Sequence, residues 1–342
     1  MGGDKEFLEA LEKYYKYCPN IKTDLDFIGE IKLDYELYGH DTSKLGKLYS
    51  QENLKTNSRL WLIAINTNLL KSKIVKPLLN SLDTDIRSKL EKFQFEYSYA
   101  PKINAEFDTM TNKVIIYDIL HKIYRFYAKS KIIERGIHKY DPNLADEFIK
   151  GTCSHIFKFY DVAKKHPYDN KNRLPKYNLP IAARLAAKKN AGMYELFILA
   201  HEYAHVYRGH KATEKISESV ARQQEIDADS KAVEWIINLK ENLKNGSEMH
   251  FTPDISLIAD EFMLVHVLEV NGILKEDYHP KSKERLQNIY ENVKDKLTDS
   301  EIESFENTLK DMDLNCKIEN FEISEELEEK LKNIIENTEN SP

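Results

Sequence analysis

The segment from Met193 to His210 constrains this chain more than any other, because its residues suit an α-helix and little else. Leu196, Leu199, Ala200, Tyr203, Val206 and Tyr207 recur at helical spacing and form an apolar stripe. Beside that stripe stand His201, Glu202, Tyr203, Ala204 and His205. Residues four apart on a helix lie one above the other, so His201 and His205 aim both imidazoles at one point. That is the placement two ligands of a zinc ion require, and Glu202 stands close enough to reach a water on the metal without ligating it. Gly192 is expected to free the start of this helix, and Gly209 lies near its end.

A catalytic zinc takes three protein ligands and keeps one position open. The segment Arg222-Gln-Gln-Glu225-Ile-Asp227-Ala-Asp229 supplies candidates on a second amphipathic helix, Glu218 to Leu243. Twenty positions separate His205 from Glu225, which leaves room for a turn and a helix packed back on the first. Glu225 and Asp229 are one helical turn apart and share a face. One of them can ligate zinc while the other accepts the free ring N–H of a ligand histidine and fixes its tautomer. Asp227 points to a different side, and Glu218 is too far along the helix to share the face.

Helical periodicity also marks Phe7 to Tyr17, Leu60 to Leu70, Ile119 to Arg135 and Ile255 to Val270. Strand formers occur in two short runs, Ile103 to Asp108 and Lys113 to Asp118, separated by Thr109-Met-Thr-Asn112. These runs predict a β-hairpin. His166 to Asn178 is a polar stretch with two prolines, expected to be a surface loop. Gly246, Thr252 and Pro253 punctuate the end of the Glu218 to Leu243 helix.

At 342 residues the chain is long enough to bury a full core, and 41% hydrophobic with 31% charged residues suits a soluble globular protein. A net charge of -7 without a concentrated basic face argues against a nucleic-acid partner. Cys18, Cys153 and Cys316 lie far apart, giving neither a disulfide framework nor a thiolate metal site. The first residues lack the apolar run of a signal peptide. No apolar stretch reaches the length of a membrane span. A cytoplasmic location is the expectation.

HExxH followed by a helix with Glu-x-x-x-Asp resembles the gluzincin peptidases, with thermolysin-type spacing. Two further segments resemble elements of HtpX-like and CAAX-prenyl-protease-like peptidases. Asn104-Ala-Glu-Phe107 with Ile115-Ile-Tyr-Asp-Ile-Leu120 is similar to their N-A-F … I-x-V-x-x-G-L-L hairpin, and His279-Pro280 with Arg285 to their T-H-P-x-x-x-x-R-I element. Pro280 is expected in the first turn of a helix. Asp118 departs from the pattern, which has glycine there, and membrane helices are missing. A soluble relative, of the Lit-like phage-exclusion or ImmA/IrrE-like kind, fits those departures.

The resemblance implies His201, His205 and Glu225 as zinc ligands, Glu202 as general base and Asp229 as the partner of a ligand histidine. It implies Ile115, Ile116 and Tyr117 as a strand edge that binds substrate backbone. Of three oxyanion donors considered, His279, Arg208 and Arg285, it favours His279. The fold expected is α+β and mainly α-helical, a zincin-like core with a small β-hairpin or sheet beside the HExxH helix. Residues 1–95 are expected to form a helical N-terminal region, 96–295 the metallopeptidase domain and 296–342 an acidic helical extension. The expected activity is hydrolysis of peptide bonds in a protein or peptide substrate with one zinc ion per chain. The alternative is a zinc-binding regulatory protein with little or no catalysis.

Overall fold

The helix that carries His201 begins well before its apolar stripe. In the computed structural model it runs from Ile181 to Arg208. The structure describes residues 67, 70–98, 100, 102–139, 141–165, 174, 179, 181–210, 216–243, 251–274, 279–314 and 318. The expected helix over Phe7 to Tyr17, nearly all of Leu60 to Leu70, the His166 to Asn178 stretch apart from Leu174, Gly246, and the tail beyond 318 lie outside them. So do Cys18 and Cys316, whereas Cys153 is buried. The chain divides after Leu69, and the unit that starts at Leu70 is the one described.

That unit opens with a π-helical turn, Lys71–Val75, which runs on into α1 (Lys76–Asn80) and is followed by α2 (Thr84–Leu90). Three strands come next: β1 (Gln94–Ser98), β2 (Ala105–Asp108) and β3 (Lys113–Tyr117). The remainder is helical: α3 (Asp118–His138), α4 (Pro142–Lys165), α5 (Ile181–Arg208), α6 (Glu218–Leu243), α7 (Ser256–Val270), α8 (Ser282–Val293) and α9 (Asp299–Asp311). The fold is therefore α+β and mainly α-helical, as expected. Among the described residues no helix is long and apolar enough to cross a membrane.

The hairpin forms where strand formers flank Thr109-Met-Thr-Asn112. Asp108 holds the turn by accepting from the Met110 N–H at 2.8 Å and the Thr111 hydroxyl at 2.6 Å. Asn112 adopts a left-handed conformation, φ 53°, which its short polar side chain tolerates. The strand β1 is an addition. Phe95 and Tyr97 alternate with more exposed neighbours, the period of a half-buried strand. It pairs parallel to β3 while β2 pairs antiparallel, giving the order β1-β3-β2. This corrects one expectation. Ile115, Ile116 and Tyr117 lie in the central strand, with neighbours on both sides, so they offer no free edge to a substrate.

Two more local expectations change. Gly192 lies inside α5 rather than at its start, and a methyl group there would meet the Phe251 ring at 3.1 Å. Its role is to make room for an aromatic side chain. Pro280 precedes α8 instead of occupying its first turn; the cap position is Lys281, and the Ser282 N–H is held by Glu269 at 3.1 Å. Asp118, the residue standing in place of glycine, starts α3 directly from β3. Its carboxylate accepts from the Tyr97 hydroxyl at 2.5 Å and pairs with Lys122 at 2.6 Å. An acidic residue in a first helical turn also meets the positive end of the helix dipole.

Helix α5 is the hub. It packs against α3 on one flank, α6 on another, and β2 at the sheet. Alanines at fully buried positions, Ala200 and Ala204 on α5 and Ala228 and Ala232 on α6, let two backbones approach closely enough for short side chains to meet across them. A separate cluster of Ile133, Ile137, Leu144, Ala145, Phe148 and Leu179 ties α3 to α4. Packing continues across residues 95 and 295. The Lys71–Val75 turn rests on α5, α1 on α6, and α9 on α7 and α8.

Candidate metal centre

The last turns of α5 and the N-terminal half of α6 bring five ionisable side chains together. His201, Glu202, Glu225 and Asp229 are 3%, 8%, 5% and 1% exposed. His201 Nε2 and His205 Nε2 are 3.0 Å apart. Glu225 faces both: Oε2 lies 3.4 Å from His201 Nε2 and Oε1 lies 3.4 Å from His205 Nε2. Donor atoms of a tetrahedral zinc site, with bonds of about 2.0–2.1 Å, stand about 3.3 Å apart. Among the described residues, these three form the one group of His, Cys, Asp or Glu side chains whose ligand atoms converge within 4.8 Å. Two imidazoles and one carboxylate are also the donor set that leaves a position open for substrate or water.

The rest of the cluster orients these donors. His201 Nδ1 is 2.8 Å from Asp229 Oδ1, which keeps Nε2 free to face inward. Asp229 is itself gripped by Arg285 of α8, whose Nε and Nη2 each donate at 2.7 Å to its two oxygens. The planar fork of a guanidinium suits such a two-point grip. Arg285 Nη2 also lies 3.7 Å from Glu225, and His279 Nδ1 lies 3.0 Å from Glu225 Oε2. The two carboxylates that shared a face in sequence thus take different positions: Glu225 faces both histidines and Asp229 backs one.

Burial and charge act in opposite directions here. Burial disfavours a charged His201, but its hydrogen bond to Asp229 and the attraction of Asp229 and Glu225 prevail and hold its pKa up at about 10. His205 is pushed down to about 3 by burial and by the charge on His201. Burial works against ionised Glu225 too, yet His201, His279 and Arg285 hold it well below the usual carboxylate range. Glu202 goes the other way, up to about 7, because burial and the nearby carboxylates of Glu225 and Glu106 outweigh His201 and His279. A metal ion held by His201 would have to displace its extra proton, so uptake would be coupled to proton release.

Three residues considered as oxyanion donors have separate positions. Arg285 is engaged by Asp229, and Arg208 Nη2 pairs with Asp227 Oδ1 at 3.1 Å. His279 is at the centre, with its side chain 47% exposed beside Glu225. Asp227 turns away from the three converging donors, as its place on the helix implies. Glu106 was not foreseen: it sits on β2, accepts from the Tyr117 hydroxyl, and pairs with Lys102 at 3.1 Å. Its alternation on a hairpin strand was visible, but its proximity to Glu202 depends on how β2 packs on α5.

The family model described as Peptidase U49 matches residues 194–305 of 342. That stretch contains every residue just placed at the centre except Glu106, Tyr117 and Lys102. Over the segment that builds the site, the chain is therefore similar to a peptidase family. No curated protein and no solved structure matches.

Proposed function

We propose that the protein is a zinc-dependent endopeptidase, with His201, His205 and Glu225 as ligands of one zinc ion and Glu202 as general base. The observation that carries this reading is the convergence of those three donors with a buried, unligating carboxylate at the adjacent position of the same helix. The match to a peptidase family over residues 194–305 supports the reaction class. Zinc held there would supply a Lewis acid that acidifies water and polarises a peptide carbonyl. Glu202 would take the proton from the attacking water and deliver it to the departing amine. A carboxylate beside the metal can serve in turn as acceptor and donor of that proton. His279, half-exposed beside Glu225, would donate to the developing oxyanion.

A substrate backbone would add to the sheet at an edge, and β2 is the edge strand that packs on α5. We assign residues 96–295 to the peptidase domain, place the protein in the cytoplasm, and relate it to the soluble gluzincins of the Lit-like or ImmA/IrrE-like kind. A purely structural zinc site would have no use for Glu202. The direct test is proteolysis of an unfolded protein substrate. A zinc chelator should abolish cleavage, and re-added zinc should restore it. Cleavage that persists in the metal-free protein would rule out zinc dependence.

The elevated pKa of Glu202 also predicts a pH effect on the metal-free protein. A carboxyl near 4.5 when unfolded and about 7 when folded binds its proton more tightly in the native state. Its ionisation therefore costs stability as pH rises from 4.5 through 7, by a total on the order of 3 kcal/mol at about 1.4 kcal/mol per unit. Glutamine has no proton to lose. Urea unfolding of metal-free wild type and Glu202→Gln should show a stability difference that shifts in favour of the variant across that window. A difference that stays flat with pH would contradict the burial argument.

A further inference from the structure

His201 has a buried carboxylate behind it, and His205, the second imidazole of the pair, needs a partner of its own. The structure supplies a candidate from the end of its own helix. Gly209 stands in the left-handed region, φ 66°, where glycine is free and other residues are strained. Its N–H reaches Val206 O at 3.1 Å, and the His210 N–H reaches His205 O at 3.0 Å. This αL turn ends α5 and folds residue 210 back on the last turn. The His210 ring then packs edge-on against His205, centroids 4.9 Å apart, with the two Nδ1 atoms 2.9 Å apart. On its far side, His210 Nε2 lies 3.2 Å from Asp227 Oδ2, and Asp227 Oδ1 is paired with Arg208.

A contact between two Nδ1 atoms needs one proton. If His205 uses Nε2 on a metal, its Nδ1 must carry hydrogen and donate. His210 then accepts at Nδ1 and, in its neutral form, carries its own hydrogen on Nε2, where Asp227 is in place to accept it. One tautomer assignment therefore satisfies every contact along His205, His210 and Asp227, with no charged ring required. It repeats on His205 what Asp229 and Arg285 do for His201: a partner on the outer nitrogen, a carboxylate, and an arginine on that carboxylate.

We propose that His210 and Asp227 are positioning residues for the metal centre, fixing the tautomer and the ring plane of His205. The inference rests on the reading of His201, His205 and Glu225 as a zinc site. His210 does the larger share, since its side chain is 11% exposed against 34% for Asp227, where solvent weakens a charged contact.

The test is zinc affinity, measured by competition with a chromogenic chelator, together with the visible spectrum of the cobalt(II)-loaded protein. His210→Ala should weaken zinc binding about 10–100-fold and alter the cobalt spectrum. His210→Asn puts an amide oxygen where Nδ1 accepts, so it should recover most of that loss. Asp227→Asn should weaken binding by less than His210→Ala, and the double variant should be no worse than His210→Ala alone. A purely structural role predicts that asparagine is no better than alanine, and that result would overturn the proposal. So would zinc affinity and a cobalt spectrum in His210→Ala equal to wild type. Should His210→Ala fail to fold, Asp227→Ala, which removes the acceptor altogether, decides: a measurable loss supports the relay and an unchanged affinity overturns it. A wild-type protein that takes up no zinc overturns the metal centre and this inference together, whereas a zinc-loaded wild type beside an unaffected His210→Ala overturns this inference alone.

Discussion

Glu202→Gln should retain zinc while losing peptide hydrolysis by about 10²–10⁴-fold, the usual worth of a positioned general base. Glutamine keeps the shape and most of the burial of Glu202 but cannot accept a proton. The ligand atoms of His201, His205 and Glu225 do not include Glu202, so the metal set is untouched. The loss should fall on kcat more than on KM, because proton transfer is felt in the transition state and not in substrate binding. Single-turnover cleavage of a fluorogenic peptide on zinc-loaded protein would measure it. Unchanged turnover in a fully loaded variant would remove Glu202 from the mechanism.

Asp229→Ala should be the most damaging change to stability. Asp229 is 1% exposed and accepts from Arg285 at two points and from His201 at a third. Alanine strands a guanidinium whose side chain is only 12% exposed, and the next carboxylate paired with it among the described residues is Glu225 at 3.7 Å. Breaking one side of a buried ion pair costs about 3–5 kcal/mol, far more than the net value of the intact pair. At about 2–4 °C per kcal/mol for a unit of this size, the thermal midpoint should fall by roughly 10 °C. Asp229→Asn is milder for folding, since its amide oxygen still accepts, yet it should lower zinc affinity about 10–100-fold by loosening His201. A midpoint within 2 °C of wild type for the alanine variant would contradict the buried-pair account.

The parts of this site that were legible in sequence are those set by the geometry of a single helix. His201 and His205 share a face because four residues make about one turn, and Glu225 and Asp229 share one for the same reason. The hairpin could be read because strand formers bracket Asp108 to Asn112, whose turn chemistry is local. What stayed hidden depends on contacts between elements. Which of Glu225 and Asp229 meets the imidazoles is decided by how α6 crosses α5. The grip of Arg285 on Asp229 spans fifty-six positions. The exposed edge of the sheet changed because β1, only Gln94 to Ser98, takes a place beside β3 that no local pattern specifies. Gly192 illustrates the same limit: a glycine marks a helix start by local rules, but here it accommodates Phe251 from far along the chain. His210 lay one residue past a helix-ending glycine, a signal for a turn but not for where its ring would point.

As proposed, His201, His205 and Glu225 hold one zinc ion together. Metal analysis of the purified protein tests this most directly, comparing wild type, Glu202→Gln and Glu225→Ala after dialysis against metal-free buffer. Wild type and Glu202→Gln should each carry one equivalent of zinc per chain, and Glu225→Ala should lose most of it. Stoichiometric zinc in Glu225→Ala, or none in wild type, would contradict this assignment.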